Sequence, residues 1–193
     1  MKLSVNEIFY SLQGEGGRQG EASIFIRLTK CNLKCVFCDT DFEHGEEMTL
    51  EEIAKHIEQF GCKWIIWTGG EPTLQLKDEH LEFFWKLGYK QAIETNGTRP
   101  VSPLIDYITC SPKQKYEKIK EYLPTVNEIR MPIAVGDEVP DISIFPKADR
   151  YFLSPIFDGY NPIKENIDYC VEQILKHPEW QLSLQVHKLI NIE

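Results

Sequence analysis

Three things are missing from this 193-residue chain, and each narrows what it can be. It has no basic excess, since 21 Lys and Arg stand against 30 Asp and Glu and leave a formal charge of -9. That sign argues against a nucleic-acid footprint, so no nucleic-acid partner is expected. Neither terminal stretch reads as a signal peptide or a membrane span, and the expectation is a cytoplasmic protein without a membrane partner. Internal repeats, low-complexity tracts and convincing linkers are absent as well. Residues 1–193 therefore read as a single domain, with enough apolar and aromatic content for a sizeable core. Six cysteines in such a chain imply a reducing compartment rather than a disulfide framework.

What is present is a recurrence of short apolar runs with helical stretches between several of them, the pattern of a parallel sheet with crossovers. Strands are predicted near Ile24 to Leu28, Trp64 to Thr68, Gln91 to Thr95, Tyr107 to Cys110, Glu128 to Ile133, Tyr151 to Ser154 and Leu182 to His187, with another near Val5 to Tyr10. The clearest helix starts at Thr49, where Thr49 and Glu52 form a capping-box pattern, and runs through Ile53, Ile57 and Phe60 to Gly61. A second is predicted from Asp78 to Leu87, stopped by Gly88, and a third from Pro162 to His177 with Asn161 as its cap. The Pro- and Asp-rich segment between Ile133 and Tyr151 reads as irregular. A full (β/α)8 barrel of ~250 residues is excluded by length.

The run Cys31-Asn32-Leu33-Lys34-Cys35-Val36-Phe37-Cys38 gathers three of the six cysteines just after the strand Ser23 to Leu28. Three thiolates can hold an iron-sulfur cluster and leave its fourth iron open. Thiolates also suit zinc or Cu(I), and a closed Cys3His zinc site could recruit His44. Positions i, i+4 and i+7 would further share one helical face as packing residues, although Lys30, Asn32 and Lys34 break up any apolar face. Cys62, Cys110 and Cys170 are scattered and read as packing or incidental thiols, with Cys170 on the apolar face of the third helix beside Ile163, Ile167, Val171 and Ile174.

The spacing C-x3-C-x2-C, with Phe37 before the last cysteine, resembles the signature of the radical S-adenosylmethionine (SAM) superfamily. The resemblance implies an α/β fold, a partial and abbreviated (β/α)6 barrel, with functional groups at the C-terminal ends of its strands. It also implies that Cys31, Cys35 and Cys38 carry a 4Fe-4S cluster, that SAM chelates the open iron, and that Phe37, Cys38 and Asp39 lie beside it. Gly69-Gly70-Glu71-Pro72 resembles the motif that holds SAM's ammonium group, the alternative being an ordinary turn before a helix opened by Pro72. Glu94 and Asn96, then Ser111-Pro112-Lys113, then Ser154-Pro155-Ile156-Phe157 follow as further SAM contacts at strand ends, each open to the plainer reading of a turn.

Ser11-Leu12-Gln13-Gly14-Glu15-Gly16-Gly17, Arg27, Cys38-Asp39-Thr40 and Gln185-Val186-His187-Lys188 together resemble the 7-carboxy-7-deazaguanine synthase family, over nearly the whole chain. That resemblance implies a small pterin substrate, 6-carboxy-5,6,7,8-tetrahydropterin, and a lyase reaction on the route to 7-deazapurines such as queuosine. Arg27 would grip the substrate carboxylate with its planar fork. Leu12, Gln13, Gly14 and Glu15 would match the pterin's donors and acceptors, Thr68 and His187 would line the pocket, and the terminal Glu193 would accept from the pterin's N–H groups. Thr40 matches the position of a Mg2+ ligand. An electron donor such as flavodoxin or ferredoxin and a homodimer are further family expectations. A glycyl-radical-enzyme activase and a zinc-binding interaction module stand as the alternatives.

Overall fold

The structure is a computed structural model that describes residues 1–35, 38, 43–113 and 116–192. The chain packs as two compact units, one made of Met1–Ser11, Ala22–Thr95 and Pro100–Ile108, the other of Leu12–Glu21, Asn96–Arg99 and Thr109–Glu193.

In the first unit, β1 (Lys2–Leu12), β2 (Ala22–Leu28), β3 (Glu46–Thr49), β4 (Trp64–Gly69) and β5 (Lys90–Thr95) lie in the order β3-β1-β2-β4-β5. The ladders β2/β4 and β4/β5 are parallel, while β3 returns antiparallel along β1. Helix α1 (Leu50–Ile57) begins where the capping box places it: Thr49 Oγ1 accepts from the Glu52 N–H at 3.2 Å and Glu52 Oε2 accepts from the Thr49 N–H at 2.8 Å. Its Leu50, Ile53 and Ile57 recur at helical spacing and are fully buried. Helix α2 (Asp78–Lys86) adds Leu81 and Phe84, and Gly88 stops the chain after it at φ +81°. Trp67 fills the middle of this core, its indole N–H donating to Gln91 Oε1 at 3.0 Å.

In the second unit, β6 (Tyr107–Cys110), β7 (Thr125–Ile133), β8 (Lys147–Pro155) and β9 (Gln181–Leu182) form consecutive parallel pairs. Helices α3 (Ile119–Tyr122), α4 (Lys164–Lys176) and α5 (Val186–Leu189) accompany them. Trp180 is buried between Phe145 and Tyr151, edge-on to both. Cys170 on α4 is fully buried, as its place on the apolar helix face requires.

Helix α1 ends at Ile57 rather than running on to Gly61, and four further differences from the sequence expectations each have a tertiary reason. Strand β3 was not expected, because Glu46, Glu47 and Thr49 make an edge that only pairing with β1 turns into a strand. The segment read as irregular contains the start of β8, whose polar residues Lys147 and Arg150 are held extended by the long β7 ladder. The third helix starts at Lys164 with Ile163 at its cap, since Asn161 spends its backbone on a bridge with Asp158. The last strand stops at Leu182 rather than His187, and the chain turns into α5 where the Val186 N–H donates to the Gly14 carbonyl at 3.0 Å.

Candidate active site

Strand alternation decides which side chains of the first unit can reach a ligand. Ile24, Ile26, Leu28, Ile65 and Trp67 face the helices, while Phe25, Ile66 and Ala92 make a second apolar cluster on the other face, with Phe9 stacked on Phe25 at 4.7 Å. Arg27 stands opposite Thr68 in the β2/β4 register. Arg27, Thr68 and Glu94 each follow a member of that second cluster by one strand period, so all three lie on its face at the strands' C-terminal ends. The Arg27 Nε donates to Glu7 Oε1 at 2.5 Å and its guanidinium sits 5.6 Å from the Phe9 ring centre, contacts that fix the plane of the fork.

From Arg27 the chain passes directly into the cysteine loop. Lys30 takes a left-handed φ of +69°, and the Glu71 N–H, donating to its carbonyl at 2.9 Å, holds it there. Gly69 has φ +114°, and the Gly70 N–H donates to the Leu28 carbonyl at 3.0 Å. A Cβ would fall 2.1 Å from the Leu28 oxygen at Gly69 and 1.9 Å from the Lys30 oxygen at Gly70, so the two glycines are what permit the end of β4 to close on the start of the loop. The Glu71 carboxylate is fully buried and its Oε1 accepts from the Thr73 N–H at 3.1 Å, Thr73 Oγ1 at 2.6 Å and Thr95 Oγ1 at 2.8 Å. As the plainer reading has it, Pro72 opens a short 3-10 helix, Pro72–Leu74, with Glu71 as its cap, and the bonds to Lys30 and Thr95 tie this ledge to its neighbours.

The described cysteine residues are not helical, which removes the packing-face reading; Cys31 and Cys35 are half-buried and Cys38 is exposed. The Leu33 N–H donates to Cys31 Sγ at 3.5 Å, and the Cys38 N–H donates to the Cys35 carbonyl at 3.2 Å. Burial pushes the Cys31 thiol above its ordinary range, the Glu71, Cys35 and Cys38 charges push the same way, and the Leu33 N–H opposes them. Among the described residues no three His, Cys, Asp or Glu side chains form a ready metal site, and His44 is exposed. The donor set itself, three soft thiols with Cys35 and Cys38 near enough to disfavour the Cys31 thiolate, fits an iron-sulfur cluster whose own charge would compensate that thiolate. Phe37, Asp39 and Thr40 lie outside the described residues.

In the second unit, the loop after β1 is closed by backbone pairs, Gln13 N–H to the Glu21 carbonyl and Gly20 N–H to the Gln13 carbonyl, each at 2.8 Å. Leu12 is exposed, and the Gln13 side chain is buried against its own loop, where Oε1 accepts from the Glu15 N–H at 3.1 Å. Glu15 is tied to Arg130 through Oε2 at 3.1 Å and to Gln185 through Oε1 at 3.2 Å. His187, expected at a strand end, belongs instead to α5, and its imidazole occupies the space a Gly14 side chain would need, 2.0 Å from an added Cβ. Lys188 is buried beside the rings of Phe157 and Tyr160. Glu193 lies outside the described residues.

The remaining strand-end positions divide. Asn96 forms an Asx turn, its Oδ1 accepting from the Thr98 N–H and hydroxyl at 3.0 and 2.6 Å. Lys113 Nζ donates to Ser111 Oγ at 2.8 Å across the buried Pro112. Ile156 donates its N–H to the Ile133 carbonyl and accepts from Asn166 Nδ2, so its backbone is used internally, next to Pro155. The Ser154 hydroxyl, by contrast, is buried and makes no hydrogen bond among the described residues. Sequence reasoning assigned no role to Glu7, Gln75, Thr109, Glu128, Arg130 or Ser183. The signal for Glu128 and Arg130 was a charged i, i+2 pair inside an otherwise apolar strand.

Soft thiols in the loop after β2 and a glycine ledge after β4 define a radical SAM site. Residues 25–175 match the model of the Radical SAM superfamily. The chain is 41% identical to 7-carboxy-7-deazaguanine synthase of Bacteroides thetaiotaomicron over 192 residues, all of both proteins. It is 43% identical to the synthase of Haemophilus influenzae over 203 residues, 99% of this chain and 94% of that one. The crystal structure of QueE from Escherichia coli superposes with a TM-score of 0.72 at 25% identity, over 97% of this chain and 95% of that one. The chain belongs to the 7-carboxy-7-deazaguanine synthase family. Its fold class is accordingly α/β, the abbreviated (β/α)6 barrel of the radical SAM superfamily.

Proposed function

We propose that this chain converts 6-carboxy-5,6,7,8-tetrahydropterin to 7-carboxy-7-deazaguanine with loss of ammonia, as a carbon-nitrogen lyase of 7-deazapurine (queuosine) biosynthesis. One observation carries the reading beyond the family: the strand that presents Arg27 runs straight into the cluster loop, so a carboxylate-gripping fork stands beside the candidate cluster ligands. A zinc module or an activase of a protein partner has no use for that fork.

In this reading Cys31, Cys35 and Cys38 hold a 4Fe-4S cluster, with Phe37 and Asp39 beside it. Gly69, Gly70 and Glu71 hold SAM's ammonium group, and Glu94, Asn96, Ser111, Pro112, Lys113, Ser154, Pro155, Ile156 and Phe157 its remaining parts. The orphaned Ser154 hydroxyl supports the SAM assignment in this unit. When bound, cluster and SAM would supply the reversible hydrogen-atom abstraction at the substrate's C6 that this reaction needs.

Every other task falls to the polypeptide. Arg27 orients the substrate carboxylate through the part of the fork that Glu7 does not hold. Leu12, Gln13, Gly14 and Glu15 read the pterin edge, with Glu15 as the fixed acceptor. Thr68, His187 and Glu193 complete the set. Thr40 binds Mg2+, whose charge orients the substrate carboxylate.

The protein works as one domain in the cytoplasm, is reduced by a flavodoxin or ferredoxin, and forms a homodimer. No helix among the described residues is long and apolar enough to cross a membrane. Arg27→Lys tests the central assignment: the KM for carboxytetrahydropterin should rise about tenfold or more while SAM affinity is unchanged. Equal losses for both ligands would contradict it.

A further inference from the structure

Glu128 and Arg130 lie one strand period apart on β7, on one face of a strand whose Ile129, Met131 and Ile133 are buried. Both are nearly inaccessible, Glu128 at 1% and Arg130 at 6% exposure. Arg130 bridges two carboxylates, reaching Glu15 Oε2 through Nη1 at 3.1 Å and Glu128 Oε1 through Nη2 at 2.9 Å. The two Glu128 oxygens serve further donors, Oε1 the Thr109 hydroxyl at 3.0 Å and Oε2 the Gly17 N–H at 2.7 Å. The Gly16 N–H donates to Ser183 Oγ at 2.9 Å.

We propose that Glu128 and Arg130 are positioning residues for substrate recognition, holding the Glu15 carboxylate and the backbone of residues 14–17 in the one shape that meets the N–H donors of the pterin. The inference rests on the synthase reading and extends it to two residues that touch no reacting atom.

Three observations converge on it. Burying two carboxylates around one guanidinium costs desolvation that an apolar trio would avoid, so stability alone does not account for the arrangement. The loop is also built around it: at φ +69°, Gly16 passes so close that an added Cβ would lie 2.3 Å from Glu128 Oε1. Finally, the trio formally carries one negative charge in excess, and its Glu15 end lies in the loop read as the pterin's partner, where an edge of N–H donors is the complementary surface. A lysine could not replace the bridge, because a point ammonium cannot present two fixed N–H pairs to two carboxylates.

The test uses the anaerobically reconstituted holoenzyme and the variants Arg130→Lys, Glu128→Gln, Glu15→Gln and Arg130→Lys/Glu15→Gln. Each is measured for iron content, thermal midpoint, KM for SAM, and kcat and KM for carboxytetrahydropterin. Arg130→Lys and Glu128→Gln should each raise the pterin KM about tenfold, with iron content and SAM KM unchanged. In the Glu15→Gln background the Arg130→Lys change should add less than about twofold, because it acts through the group already removed.

Additive effects in the double variant, or a pterin KM unchanged in both single variants, would overturn the proposal. Should Arg130→Lys fail to fold, Glu128→Gln carries the same decision. Failure of the unaltered protein to turn over the pterin would sink the synthase reading and this inference with it, whereas normal turnover with additive variants sinks the inference alone.

Discussion

Cys31 is surrounded by influences that disfavour its thiolate: burial, the Glu71 carboxylate and two neighbouring thiols. Cluster assembly must remove the proton, so iron loading should release protons and weaken as pH falls below the thiol range. Iron per chain after reconstitution at pH 6 and at pH 8.5 checks this, with less expected at pH 6. Cys31→Ala, Cys35→Ala and Cys38→Ala should each lose the cluster and SAM cleavage, while Ala at Cys62, Cys110 or Cys170 should keep both. Cys170 offers a separate test, since burial pushes its thiol up to about 12. A raised value means the fold favours the neutral form, so its contribution is complete below about pH 8.5, the unfolded value, and is lost as pH climbs toward 12. Urea unfolding of the apoprotein should therefore show a loss of stability between pH 9 and 11 that is smaller in Cys170→Ala.

At the scale of elements, the ledge formed by Gly69 and Gly70 should tolerate no side chain. Gly70→Ala forces a methyl group against the Lys30 carbonyl, and SAM binding should fall together with cluster retention, read from iron content and equilibrium dialysis of SAM. Thr49→Ala removes one half of the α1 capping box and should cost about 1 kcal/mol in chemical denaturation without touching SAM binding. Elements signalled by local chemistry were legible in advance: the Thr49 and Glu52 box, the Gly88 stop and the apolar β4 and β5 strands all fall where the residues indicate. Where pairing decides, the sequence was silent. Strand β3 exists through β1, α4 starts late because Asn161 bridges to Asp158, and the turn into α5 depends on a carbonyl at Gly14, far away in the chain.

For the whole molecule, the same division separates the parts of the site. The places of the cysteine loop, Arg27 and Thr68 at the ends of β2 and β4 could be read in advance, because each sits on a continuous local pattern, while the roles proposed for them come from the family resemblance. The Glu15, Glu128 and Arg130 network could not: the charged pair on β7 marks two of its members, but their partners appear only when β7 meets a loop more than a hundred residues earlier in the chain. The side chain of Gln13 likewise turned out to bind its own loop rather than stand open. The most direct measurement is anaerobic incubation of the reconstituted protein with reductant, SAM and 6-carboxy-5,6,7,8-tetrahydropterin, following the pterin, the deazaguanine chromophore, ammonia and SAM together. The account predicts one 7-carboxy-7-deazaguanine and one ammonia for each pterin consumed, with SAM recovered over many turnovers; SAM cleaved while the pterin remains intact would contradict it.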